Sequence, residues 1–130
     1  MQNKTDNNNF VGQLIDVEKV FLEKSPRLAR KIPRFIYLNQ GIRRFGDLTG
    51  LAFLRGILDY MGVNITHQGL ENVPVEGRFI IASNHPLGGL DGMALMKIAG
   101  EVRSDIVFPV NDLLMNIPNL RPLFIPINKL

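Results

Sequence analysis

From Phe10 to Leu22 the apolar residues Val11, Leu14, Ile15, Val17, Phe21 and Leu22 recur at helical spacing, with Asp16, Glu18, Lys19 and Glu23 on the other side. That pattern predicts an amphipathic helix. Ser25-Pro26 ends it, and Pro26 suits the first turn of a following helix, where a missing N–H costs nothing. Pro33 interrupts the next stretch, so two short helices are expected there in place of one. Gly46-Asp47 reads as a helix start with Asp47 as N-cap. Leu48, Leu51, Leu54, Leu58 and Met61 then form a stripe on a helix that Gly62 stops. The simplest reading of this stripe is packing against the domain; the alternative is burial in a lipid surface.

The period changes after Gly62. Val63-Asn64-Ile65-Thr66-His67 alternates and predicts a strand. Gly69 to Gly77, with Pro74, is a turn region. Arg78-Phe79-Ile80-Ile81-Ala82-Ser83 is nearly continuous in apolar residues and predicts a buried strand of a sheet covered on both faces. Leu90 to Ala99 is helical, ended by Gly100. Ile106–Val110 and Leu123–Ile127 predict two further strands, joined by a short helix. Each contains a proline (Pro109, Pro126), which points to an edge or a bulge. The expected fold class is α/β: a disordered N-terminus over 1–9, a helical lead-in over 10–62, and over 63–130 the first half of an α/β layer. The chain stops after the fourth strand, where a covering helix is expected.

Composition narrows the classes. A mean hydropathy of +0.07 and the lack of any run of 18 apolar residues argue against a membrane span. The polar, Asn-rich start has no apolar core of a secretory signal. With no Cys, neither disulfides, a thiol nucleophile nor a thiolate metal site is available, which fits a cytoplasmic setting. Two His, 18 positions apart, give no expectation of a metal. The net charge is +3, and its distribution says more. Lys24, Arg27, Arg30, Lys31, Arg34, Arg43 and Arg44 fall in 21 residues without an acid among them. Such a stretch attracts anions, whether phospholipid head groups, nucleic acid or an acidic carrier protein, and an anionic membrane surface is the partner expected here. Sparse aromatics there (Phe35, Tyr37, Phe45) and the lack of a nucleic-acid motif argue against nucleic acid.

One segment carries chemistry. The strand predicted to end at Ser83 runs at once into Asn84 and His85. Pro86 stiffens the exit, Gly88-Gly89 permits left-handed backbone, and Asp91 opens the next helix. Ligands of open α/β sheets sit beyond the carboxyl ends of strands, and the N–H groups of a helix start favour anions. A His with a carboxylate a few residues on has the parts of a general base and its orienter. The plainer reading of the same residues is a helix cap and a solvated imidazole. The glycines lack the order of a dinucleotide loop, and Ser83 is not in a nucleophile elbow.

Asn84-His85-Pro86-Leu87-Gly88-Gly89-Leu90-Asp91-Gly92-Met93-Ala94-Leu95 resembles the first motif of the lysophospholipid/glycerol-3-phosphate acyltransferase superfamily, in particular its bacterial hemolysin-like branch. Gly69-Leu70-Glu71-Asn72-Val73-Pro74 and the run to Ser83 resemble that family's lead-in. The resemblance covers residues 63–130 well and the N-terminal helices weakly. It implies a partial acyltransferase-type α/β domain, with His85 as general base and Asp91 as its orienter. The implied co-substrates are an acyl thioester on coenzyme A or acyl carrier protein, with no cofactor besides, and a lyso-lipid acceptor such as lysophosphatidate or a lyso-amino-acid lipid. Asn84, Gly88, Gly89, Arg121 and Lys129 are the implied substrate-binding residues, the last two from a second motif around Phe124–Lys129 that usually ends in Arg. The implied location is the cytoplasmic face of the membrane. The family's usual spacing is His-x4-Asp, whereas five residues separate His85 from Asp91. A later family motif that helps bind the acceptor would follow the fourth strand, which leaves a second reading: a non-catalytic membrane-surface module of the same family. His67, with no carboxylate nearby in sequence, reads as structural or surface, and Met93, Met96 and Met115 as core filler.

Overall fold

In the computed structural model, which describes residues 35–86 and 88–127 together with Glu23, the core is organised on helix α2 (Gly50–Tyr60). Its buried residues are Gly50, Phe53, Leu54, Ile57 and Leu58, spaced i, i+3, i+4, i+7, i+8. The four apolar side chains are essentially inaccessible to water. Burying each contributes roughly 1.5–3 kcal/mol. The stripe expected from Leu48 is therefore displaced: Leu48 is exposed, Leu51 and Met61 are half-buried, and Phe53 and Ile57 take the centre. The helix also starts later than expected, with Thr49 at the N-cap position in place of Asp47. The stop at Gly62 holds. Gly62 has φ 66°, its N–H donates to Asp59 O, and the Val63 N–H donates to Leu58 O. These are the paired bonds of a Schellman ending.

Two further helices pack on α2. Helix α1 (Phe35–Phe45) begins two residues after Pro33 and ends with Arg43 and Arg44 in its last turn, where cations suit the helix dipole. Helix α3 (Gly89–Val102) runs past Gly100, which does not end it. The contacts explain that glycine: a side chain at Gly100 would strike Leu51 of α2. Likewise a Cβ at Gly41 of α1 would strike Ile57 of α2, and one at Gly56 of α2 would meet the Phe45 ring at 3.1 Å. Glycine is used here for close helix approach.

Beyond α3 the chain forms β1 (Phe108–Asn111), two 3-10 turns (Asp112–Asn116 and Pro118–Leu123), and β2 (Phe124–Ile127). The strands pair in parallel, Phe108 opposite Phe124 and Asn111 opposite Ile127. Each is an edge of this two-stranded sheet, so Pro109 and Pro126 need no ladder partner on their outer side. Asn111 Oδ1 accepts from the Leu113 N–H at 2.9 Å and caps the first turn. The second turn packs on α2 through Leu120 and Leu123. Its buried Asn119 donates to Gly46 O (3.1 Å) and Leu48 O (2.7 Å), bracing the α1–α2 loop. One apolar cluster thus joins residues on both sides of Gly62.

The fold is mixed α/β, but two expected strands are not formed. Residues 63–67 alternate in burial, with Val63 and Ile65 on the core, yet make no ladder. Residues 78–83 make none either, and they are not buried: Ile80 is 94% exposed. Apolar pattern alone cannot make a strand; a partner must supply the backbone hydrogen bonds, and no strand lies beside either segment among the described residues. The expected helix over Phe10–Leu22, the expected disorder over 1–9 and Lys129 lie outside the described residues, as do Lys24, Arg27, Arg30, Lys31 and Arg34. No described helix is long and apolar enough to cross a membrane.

Because Ile57 is fully buried, its Cδ1 has nowhere to move if Gly41 gains a methyl. Gly41→Ala is expected to destabilise by about 1–3 kcal/mol. Adding Ile57→Val, which removes that carbon, should restore part of the loss. Denaturant melts of the two single variants and the double variant measure the coupling; simple additivity would show that the contact is not the cause.

Candidate active site

The segment from Ser83 to Gly92 turns from an extended, exposed run into the start of α3. Gly88 occupies the N-cap position with φ 72° and ψ −130°, a conformation essentially closed to side-chain-bearing residues. Asp91 is the third residue of the helix, not its cap, and lies in the first turn where a carboxylate suits the dipole. That position aims it back across the turn at His85. The two side chains meet with His85 Nδ1 3.8 Å from Asp91 Oδ2. The five-residue spacing therefore still brings the pair together, with Gly88 supplying the backbone reversal.

The His85 ring rests against the helix where Gly92 has no side chain: its Cε1 would lie 3.7 Å, and Met96 Cε 3.9 Å, from a Cβ placed there. Yet 58% of the His85 side chain is exposed, against 23% for Asp91. A partly shielded carboxylate thus faces one nitrogen of an imidazole that is open to solvent. At 3.8 Å the contact is about 1 Å longer than a hydrogen bond. Asn84 is exposed beside the pair, and Gly89 has open space around it. Among the described residues no cluster of three or more His, Cys, Asp or Glu could hold a metal.

The other expected site residues are placed differently. Arg121 donates from Nε to Met115 O at 2.7 Å, so this nitrogen braces the turn before β2. Arg43 and Arg44 are exposed at the end of α1, and Arg44 lies over the rings of Phe45 (5.8 Å) and Tyr60 (5.6 Å).

Two groupings escape a reading of the sequence. His67 has a carboxylate partner after all: its Nε2 is 3.7 Å from Glu101 Oε2, and Lys97 Nζ is 3.8 Å from Glu101 Oε1. Arg103, just past α3, donates Nε to Asp105 Oδ1 (2.8 Å), Nη2 to Asp105 Oδ2, and Nη1 to Gly77 O (2.7 Å), with its guanidinium 5.1 Å from the centre of the Phe79 ring. The hydrogen bonds from Arg103 hold the Asp105 carboxyl below its usual range, and Asp105 in turn raises the Arg103 guanidinium. Gly77 lies 26 residues before Arg103 in sequence, so no local pattern announces this contact.

Residues 19–130 match the family model described as "Acyltransferase". The chain belongs to that acyltransferase family. It is 36% identical to the lyso-glycine lipid O-acyltransferase of Bacteroides thetaiotaomicron over 96% of its own length and 49% of the relative's. It is 38% identical to the protein of the same name from Phocaeicola vulgatus, over 96% of its own length and 48% of the relative's. The chain spans about half the length of these curated relatives. No solved structure matches it.

Two tests follow from this geometry. Gly88→Ala should cost about 1–3 kcal/mol because of its backbone, whereas Gly89→Ala, with open space and no left-handed φ, should leave the melting temperature nearly unchanged; equal effects would contradict the role given to Gly88. The Asp105 carboxyl is lowered in the folded state, so its stabilising effect is present above its ordinary value of 3.8 and fades as pH falls through the lower folded value. Asp105→Asn should therefore lower the melting temperature at neutral pH, and the difference from the parent should shrink in acid well below about pH 4. A difference that stays constant with pH would remove the ion pair from the account.

Proposed function

We propose that this protein is an O-acyltransferase that moves an acyl chain from a thioester on coenzyme A or acyl carrier protein to the hydroxyl of a lyso-lipid. The observation that carries the reading is the approach of Asp91 to His85 across the Gly88 turn, in a chain of the acyltransferase family. His85 takes the proton of the acceptor hydroxyl through Nε2, the nitrogen that does not face Asp91. The freed oxygen attacks the thioester carbon, the carbon–sulfur bond breaks, and the proton passes to the leaving thiolate. Asp91 holds Nδ1–H and stabilises the transient imidazolium. The N–H groups at the start of α3, beside Gly88 and Gly89, favour the oxyanion that forms. A positioned base contributes about 10²–10⁴-fold, and the rest comes from holding both substrates together. The relatives' names support a lyso-lipid acceptor, and a lyso-amino-acid lipid fits them better than lysophosphatidate.

The basic charge of the stretch from Lys24 to Arg44 draws the protein to an anionic membrane at its cytoplasmic face. Each basic residue near such a surface contributes about 1 kcal/mol, screened by salt. Arg44 is the exception, since its contacts with Phe45 and Tyr60 divide it between the protein and the lipid.

Transfer from a labelled acyl thioester to a panel of lyso-lipids tests the chemistry. Acyl transfer to a lyso-amino-acid lipid, lost in His85→Ala with an unchanged circular dichroism melt, is the expected result. Undiminished transfer by His85→Ala would exclude His85 as the base. For the membrane surface, co-sedimentation should favour anionic over neutral vesicles and weaken as salt rises; equal binding to both would remove the electrostatic account.

A further inference from the structure

We propose that Arg103 is a positioning residue for the His85–Asp91 pair: by tying Gly77 to the far end of α3, it sets how far the 78–85 segment runs along the helix and hence where His85 meets Asp91. The proposal rests on reading that pair as the reacting groups.

The segment has little else to hold it lengthwise. It makes no strand ladder among the described residues, and its side chains from Ile80 to His85 are exposed. Its packing against α3 is loose, since an open apolar hollow of about 470 Å³ is lined by residues 79–82 of the segment, by Leu95, Ile98 and Ala99 of α3, and by the 72–74 turn. Apolar contact of this kind resists separation but is poor at fixing register, because it has no direction.

Hydrogen bonds to a guanidinium do have direction. Arg103 reaches Gly77 O with Nη1 while Nε and Nη2 are fixed by Asp105, so the fork cannot swing. Phe79, two residues further along, lies under the same group. The opposite end of the segment is the His85 ring against Gly92. The lengths show why an anchor matters. The 14 residues of α3 span about 21 Å at the rise of an α-helix. The eight steps from Gly77 to His85 reach at most about 29 Å. Roughly 8 Å of slack therefore remains, about twice the 3.8 Å His85–Asp91 distance, and the clamp removes it. Lysine cannot replace this group, since one ammonium cannot span Asp105 and Gly77 while lying flat on Phe79.

The experiment follows the His85 ring directly by NMR, through the contact between its Hε1 and the Gly92 α-protons. In Arg103→Ala and Arg103→Lys the contact should fall to less than about half, in line with a displaced segment, while contacts within the α2 core persist. In any acyl-transfer assay kcat should drop by up to about 10²-fold with KM within about two-fold, the mark of lost alignment. An undiminished ring–helix contact in a folded Arg103→Lys variant overturns the proposal. So does a loss that comes together with the core contacts, which would make Arg103 a general stabiliser. If the parent protein transfers no acyl group but the ring contact still depends on Arg103, the positioning holds and the acyl-transfer reading is what fails.

Discussion

The architecture depends on how closely other elements can approach the buried face of α2. Ile42 of α1 and Met96 of α3 interdigitate with Phe53, Leu54, Ile57 and Leu58, and at two points the neighbouring backbone must come in bare because a side chain there would strike α2. Gly41 meets Ile57, and Gly100 meets Leu51. Close-packed interiors tolerate little change in volume, so these glycines set where α1 and α3 lie. The position of α3 in turn sets the site, because Asp91 stands in its first turn and Gly92 receives the His85 ring.

At the site, backbone conformation substitutes for sequence spacing. Five residues separate His85 from Asp91, one more than the four of the motif it resembles. The reversal at Gly88, with its positive φ, folds the extra residue into the turn and leaves the groups 3.8 Å apart. The exposure difference between the two side chains suits their proposed work: the proton carrier is open to substrate, while the orienting charge is partly withdrawn from water. Withdrawing a charge strengthens its action on a neighbour.

Local chemistry was legible in the sequence and long-range pairing was not. Gly62 ends a helix through its own backbone, so its role shows in a few residues. The same holds for the glycine turn between His85 and Asp91, and the motif around it pointed to the acyltransferase family that the comparisons establish. Gly100 misled, because a glycine inside a helix can serve a neighbour 49 positions away as readily as it can end the helix. The 63–67 and 78–83 runs have strand-like patterns, but a ladder requires partners that no local pattern supplies. Leu48 looked like the start of a core stripe only because the true helix start at Gly50 depends on tertiary contacts, among them the Asn119 brace on the preceding loop. The Arg103 clamp and the Glu101 partner of His67 are non-local in the same sense.

In the proposed reaction His85 and Asp91 act as one unit. A double-mutant cycle on turnover tests it most directly, comparing His85→Ala, Asp91→Asn and the double variant. Groups that act together are strongly non-additive, so the double variant should be no slower than His85→Ala alone. Two losses that multiply would show that each residue contributes separately, and would contradict the pair.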